Sequence, residues 1–429
     1  MVERKSRANP EKLSGVRSDA SQTAALIPAQ PRDVLTLGEC IAWHRRRRGM
    51  TQEVLAGLVG RTEDWLGKVE RGRIPIDRLS VLEQIADTLR IPLARLIDRA
   101  GTWSPTAPAH GLDIGPLRDV LADYSYLTTD PDPESIDLDV LTAEIGETWS
   151  AYQDSRYARA NRLLPAAITR ARIAGHALEG REKVHAQKRL AMAYQGAAML
   201  LTKIGEADQA WLAADRGLGK AFEAEDTLIL GSLYRSVAHC LLANKRLDAA
   251  SATIDNAAVL LAPDADRGPD HLSIHGSLFL VGATAAARAG DRREVGRYLA
   301  HAKRAADRLG HDGNHMWTAF GPTTVRMHQV SAALELGDIE TALAQGERID
   351  TSALPVERRV RHKLDLARAH NARGHREAAE ILLLDANELA PEQVGSHYIT
   401  ATLLKAWARA PKETPSPDIA HLADKLGIV

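Results

Sequence analysis

The sequence predicts an all-α protein, and three observations carry that expectation. Aromatic residues make up only 4% of the chain against 45% hydrophobic residues overall, so the apolar content is mostly Ala, Leu, Val and Ile. That composition suits helix-on-helix packing better than a sandwich or barrel. Apolar residues recur at spacings of three and four along most of the chain, the period of a helix face. One short turn, Gly or Asn followed five residues later by a small apolar residue, returns through the C-terminal two thirds.

A length of 429 residues allows two or three domains. The formal net charge of -1 does not mark the whole chain as a nucleic-acid or membrane-surface binder, so any basic surface must be local. Cys40 and Cys240 stand far apart in apolar helical contexts and read as reduced thiols of a cytosolic protein. The N-terminus lacks the apolar core of a signal peptide, and no run of about 18 apolar residues spans a membrane. A cytoplasmic location is expected.

Residues 1–33 are polar, rich in Ser, Ala, Lys, Arg and Pro, and without periodicity; they read as a disordered tail. Arg4, Lys5 and Arg7 in it are a solvated segment or an arm touching DNA. A helix is expected over Leu37 to Arg48, ending in the basic run His44 to Arg48.

Thr51 to Gly72, TQEVLAGLVGRTEDWLGKVERG, reads as two short helices joined by a tight turn. Thr51 and Thr62 can each accept a free backbone N–H at a helix start. Leu55, Ala56 and Val59 form the apolar face of the first helix, and Leu66 and Val69 that of the second. Gly60 permits the sharp bend, and Arg71-Gly72 closes the second helix.

This stretch resembles the Xre/Cro-type phage-repressor helix-turn-helix family. Thr51-Gln52, Leu55-Ala56, Val59-Gly60, Thr62 and Glu70-Arg71-Gly72 fall at its motif positions, and the resemblance covers Thr36 to about Asp98. It implies a five-helix DNA-binding domain over residues 34–98 whose second motif helix enters the major groove. The base readers it implies are Thr62, Glu63, Asp64 and Lys68. Phosphate contacts are expected from Arg45, Arg46, Arg48, Thr51, Gln52, Arg61, Arg71 and Arg73. Two carboxylates among the readers depart from the family; each can accept from a cytosine amine or simply complement the positive helix end. Trp65 is large for its position, and packing on a neighbouring helix, a thymine contact and a dimer face are all open to it.

Leu79, Leu82, Ile85, Ala86 and Leu89 predict a helix over Asp77 to Leu89, and Pro92 opens a short one with Leu93, Leu96 and Ile97. Gly and Pro residues across 99–116 mark a linker, Leu117 to Leu127 a helix, and Asp130 to Pro133 a further break.

From Ile136 to Trp407 helix follows helix. The recurrent turn occurs at Gly205 to Ala210, Asn244 to Ala249, Gly290 to Val295, Gly337 to Ala342 and Gly374 to Ala379, at intervals of 39, 46, 47 and 37 residues. Asp154 to Ala158 reads as a worn copy. The pattern resembles tetratricopeptide repeats, with a period longer than that family's unit of about 34 residues and few of its aromatic positions. The resemblance implies that residues 117–410 form a right-handed superhelix of antiparallel helix pairs, lined on its concave face by the first helix of each pair. A tail with a short helix would occupy 411–429. His185, Gln195, Arg235, His271, His275, Arg326, Gln329, His370 and Asn371 are expected on that concave face, where an amide such as Asn371 can grip an extended peptide.

His271 with His275, and His311 with His315, stand four apart, but no carboxylate or cysteine completes a ligand set, and metal is not expected. No phosphate loop, nucleophile elbow or zinc-protease motif occurs, so neither enzyme activity nor a cofactor is expected.

The reading that unites these features is a DNA-binding transcriptional regulator. Its partners would be double-stranded DNA, a second copy of the chain, and a peptide or protein signal held by the repeats. The architecture is similar to peptide-pheromone-responsive regulators, and the Arg- and Ala-rich composition resembles actinobacterial proteins. The alternatives are a repeat-type interaction scaffold and an antitoxin-like repressor with weak DNA binding.

Overall fold

A computed structural model describes residues 36–74, 76, 79–89, 91, 96, 112–125, 136–408 and 415–428. The expected N-terminal tail with Arg4, Lys5 and Arg7, most of the linker, the break at Asp130 to Pro133 and the helix opened by Pro92 lie outside them, save buried Leu96. The described residues form 20 α-helices and no strand. The chain divides into two compact units, one up to Ala100 and one from Gly101 onward.

In the N-terminal unit, α1 (Leu37–Arg47), α2 (Gln52–Leu58), α3 (Glu63–Glu70) and α4 (Leu79–Thr88) enclose one core. Thr36 and Glu39 form a reciprocal capping box at α1. Ile41, Leu55, Ala56, Leu66, Ile85, Leu89 and Leu96 are at most 1% exposed within this core. Gly38 lets α1 lie directly on the end of α3: a Cβ there would stand 2.3 Å from the Val69 carbonyl oxygen.

The C-terminal unit opens with α5 (Gly115–Ala122), shorter than the sequence suggests because the Asp123 carboxylate accepts from Ser125 N at 2.8 Å and turns the chain. Six antiparallel pairs follow: α6/α7 (Leu138–Gln153, Tyr157–Ala177), α8/α9 (Gly180–Ile204, Ala207–Glu223), α10/α11 (Thr227–Ala243, Leu247–Leu261), α12/α13 (Pro269–Ala289, Arg292–Leu309), α14/α15 (Pro322–Glu335, Ile339–Gly346) and α16/α17 (Val356–Ala372, Arg376–Leu389). Short α18 (Pro391–Ser396), α19 (Tyr398–Ala408) and α20 (Pro417–Lys425) end the described chain.

Gly205, Gly290, Gly337 and Gly374 take left-handed φ of 84°, 78°, 83° and 78° at the turns. Asn244 does not. It remains in the right-handed range, and Lys245 takes the left-handed place at φ 58°, as Ser155 does at φ 59° in the worn copy. In both turns the next amide closes onto the carbonyl five residues back, Arg246 on Leu241 and Arg156 on Ala151, each at 2.9 Å. The backbone motif is therefore shared even where glycine is absent.

Successive pairs pack side by side, and the last pairs return to the first. Helix α16 touches α6, and α18 touches both α7 and α8. Ser155 Oγ bonds Gln393 Oε1 at 2.6 Å, and the Glu392 carboxylate accepts from Ala158 N at 2.7 Å. The loop between α13 and α14 reaches the same place: Trp317 stacks on Trp149 with ring centroids 5.4 Å apart, and Asn314 exchanges amide bonds of 2.8 Å with Gln153. Met316, Trp317 and Ala319 all carry positive φ in this loop, a strained run held by its contacts.

Candidate functional site

Two regions gather the chemistry-bearing residues, one in each unit. In the first, Thr51 and Thr62 cap α2 and α3 by accepting from Val54 N and Trp65 N at 3.2 and 3.3 Å. Gly60 turns the chain with φ 64°, and Arg61 N closes the bend on the Ala56 carbonyl at 2.8 Å. Helix α3 thereby presents Glu63 and Asp64 on its first turn, both exposed, with Lys68 one turn on. Asp64 and Lys68 pair at 2.6 Å across that turn, so the cation expected to read bases is answered by a carboxylate four residues before it. Arg46, Arg61, Arg71 and Arg73 are exposed around this helix, as is Arg48 at the end of α1.

Two expected phosphate contacts are turned inward. Arg45 is 7% exposed, and its guanidinium clamps the Glu70 carboxylate through Nε at 2.6 Å and Nη2 at 2.8 Å while Nη1 donates to the Met50 carbonyl. A helix step of about 100° per residue points Arg45 at the core while Arg46 and Arg47 face out. Gln52 donates to the same carboxylate at 2.6 Å. Arg45 is thus a core residue, and Gln52 is held by Glu70 at the start of α2. Trp65 packs against the core, with the Arg61 guanidinium 5.5 Å over its ring.

In the second unit the expected groove residues disperse. His185 is exposed near the start of α8. Gln195 is 1% exposed and cross-links α8 to α10 through Ser232 O at 3.0 Å and Ser232 Oγ at 2.6 Å. Asn371 is not free to grip a peptide, because its Oδ1 accepts from the Trp407 indole at 2.7 Å. His370 stands 3.2 Å from Glu347 and 3.5 Å from His375. His271 and His275 share one face of α12, but the His275 ring lies against Phe279 at 4.9 Å, and burial pushes its pKa down. Arg326 and Gln329 do come together, in a cleft of about 470 Å³ with Arg348 and Gln345. Two walls of that cleft, α13 and α15, are second helices, which places it away from the inner face. His315 bonds Asp270 at 3.0 Å and His311 the Leu309 carbonyl at 2.9 Å. No three His, Cys, Asp or Glu side chains among the described residues are grouped to hold a metal ion.

Of the expected groove residues, Arg235 reaches the place where the first helices converge. Around it stand groups that sequence reasoning missed: Tyr152 on α6, Lys203 on α8, His239 on α10, His328 on α14, and Glu357, Arg358 and Arg361 on α16. Lys203 pairs with Glu357, bridging α8 to α16. Arg358 lies 3.5 Å from the other oxygen of Glu357 and donates to the Thr318 carbonyl at 3.3 Å. Arg361 pairs with Asp365 at 3.2 Å.

Burial opposes ionisation of Glu357, but the Lys203 ammonium and the Arg358 guanidinium outweigh it and hold the carboxyl well below the usual range. Burial, with Arg358 beside it, lowers Arg235 to about 10 and His328 to about 4. Burial and Arg235 hold His239 well below its ordinary value, so both histidines are neutral at pH 7. Both residues are half-buried, so the cluster lies inside the unit without being wholly sealed. The signal in the sequence was the charged segment Val356 to Lys363, which reads as a solvated helix face until the last pairs return to the first.

Residues 36–97 match a family described as a helix-turn-helix domain. No curated protein matches the chain. Among solved structures the chain is similar to Bacillus thuringiensis PlcR, crystallised in complex with the peptide PapR7 and DNA. The identity is 14% and the TM-score 0.36, over 73% of this chain and 93% of that one.

Proposed function

We propose that the protein is a sequence-specific, DNA-binding transcriptional regulator of the cytoplasm, acting as a homodimer, whose helical-repeat unit receives a peptide or protein signal. The observation that carries the DNA-binding half is helix α3: capped at Thr62, set on a rigid core, with Thr62, Glu63, Asp64 and Lys68 exposed or half-exposed and ringed by Arg46, Arg48, Arg61, Arg71 and Arg73. Such a helix fits the major groove, with arginines flanking it for phosphates. A dimer would place two such helices on half-sites about one DNA turn apart. The signal-receiving half rests on the inward convergence of the first helices. No helix among the described residues is long and apolar enough to cross a membrane.

The Asp64–Lys68 pair favours a second reading, an interaction scaffold with weak DNA binding, because it cancels the one cation on the groove-facing turn of α3. Genome-wide binding of the tagged protein, followed by gel shifts at two salt concentrations, separates the two. A shared inverted repeat, with affinity reduced about tenfold or more by Lys68→Ala and a shallower salt dependence for Arg46→Ala, supports the regulator. Weak binding that follows no motif and vanishes with modest salt favours the scaffold.

A further inference from the structure

Within the helical-repeat unit one buried cation has no bonded partner among the described residues. Arg235 is 3% exposed, and its Nε is buried without a hydrogen-bond partner. Among the described residues, none of the hydrogen bonds or ion pairs reaches any nitrogen of this guanidinium. The nearby carboxylates are engaged elsewhere: Glu357 by Lys203 and Arg358, and Asp365 by Arg361. Of the charges that act on Arg235, Arg358 opposes it and Glu357 is already paired with Lys203 and Arg358, which leaves this place with surplus positive charge. A buried Nε–H in that state is unfavourable unless water or an anion joins it, and an anion also answers the charge.

The rest of the cluster suits such an anion. His239 follows Arg235 by one helical turn and is neutral at pH 7, as is His328, whose Nδ1 is fixed 2.9 Å from the Thr324 carbonyl. Neutral imidazoles add polar lining without further charge. The Tyr152 hydroxyl shares the field of Arg235, Arg358 and Glu357, and burial keeps it protonated, so it remains a donor. Arg358 is anchored to the Thr318 carbonyl of the strained loop, which forms one wall.

We propose that this cluster binds an oxyanion, the carboxylate or phosphate group of a small effector, with Arg235 as its principal ligand and Arg358 and the Tyr152 hydroxyl beside it. A guanidinium fork offers two parallel N–H groups to two oxygens of either anion. The inference deepens the signal-receiving half of the function proposed above. Because it is scored without DNA, failure of the site and failure of DNA binding remain separable.

The test uses the full chain and three probes, inorganic phosphate, acetate and succinate, each against sodium chloride at equal ionic strength. Thermal unfolding and titration calorimetry are the readouts. At least one probe is expected to raise the melting temperature saturably, by several degrees once it exceeds its dissociation constant about a hundredfold. A response to phosphate assigns a phosphorylated effector, and a response to acetate or succinate a carboxylate. Arg235→Gln and Arg235→Met are expected to weaken that response at least tenfold while melting, without anion, at or above the wild type, because the orphan charge is gone. No shift beyond the chloride control, or full anion affinity in Arg235→Gln, overturns the proposal. If both Arg235 variants fail to fold, Tyr152→Phe decides instead: affinity at least threefold weaker supports the site, and unchanged affinity refutes it.

Discussion

Glu70→Ala is the most direct probe of how the DNA-binding unit is held together. The Glu70 carboxylate receives the Arg45 Nε and Nη2 at 2.6 and 2.8 Å and the Gln52 amide at 2.6 Å, with side chains of Arg45 and Glu70 only 8% and 4% exposed. Removing it leaves a buried guanidinium with the Met50 carbonyl as its remaining partner, which costs about 3–5 kcal/mol. For a domain of this size that is most of the stability available. Arg45→Met combined with Glu70→Leu removes both charges, and the double variant should recover most of the loss. Hydrogen exchange of the α1 to α3 amides in the full chain measures the effect at neutral pH. A cost below about 1 kcal/mol for Glu70→Ala would refute a buried clamp. So would an Arg45→Ala variant that keeps wild-type exchange and loses only DNA affinity, as a phosphate contact would.

Two further expectations concern the repeat unit and the packing of small residues. His328, at about 4 in the fold against an ordinary 6.5, stays neutral while the unfolded chain takes up a proton. Its stabilisation is therefore complete above pH 6.5 and lost as pH falls from 6.5 towards 4, by up to about 3 kcal/mol, with His239 and His397 acting in the same direction. Urea midpoints at pH 7.5, 6 and 5 check this, and an unchanged pH slope in His328→Gln would refute it. Gly276→Ala places a Cβ 2.1 Å from the buried Phe320 ring and should cost about 1–3 kcal/mol or more, whereas Gly57→Ala, with nothing within 4 Å, should stabilise α2 by roughly 0.5–1 kcal/mol; thermal melts that rank the two the other way would contradict the packing.

What could be read in the sequence was local. Thr51 and Thr62 at the caps, Gly60 and Gly72 at the turns, and the face formed by Leu55, Ala56 and Leu66 depend on neighbours a few residues away. Arg45 belongs to an unbroken basic run, and its fate was decided by Glu70, 25 residues further along. Gln195 and Asn371 are amides on helix faces, and each is occupied by a partner about 37 residues away, Ser232 and Trp407. The repeat turns show the same limit. Gly205 signals its left-handed conformation by being glycine, whereas Lys245 adopts it under tertiary constraint and carries no such mark.

The return of the last pairs to the first explains why the inner face was the least legible part. In an open stack, Lys203, Arg235, Glu357 and Arg358 would stand in water and would read correctly as solvated charges. Contact of α16 with α6, and of α18 with α7 and α8, excludes most of that water, and Lys203, Glu357 and Arg358 take partners there while Arg235 does not. Buried ion pairs formed in this way add little net stability, since desolvation offsets most of the attraction, but wrong pairings are strongly disfavoured. For the Lys203–Glu357 pair, selecting which helices meet therefore outweighs any net gain in stability. Closure combines the Trp149–Trp317 stack with a few polar bridges between helices distant in sequence. Opening of the unit should then begin at those bridges, and Arg235, the one member of the group left without a counter-charge, is where an added anion would tighten them.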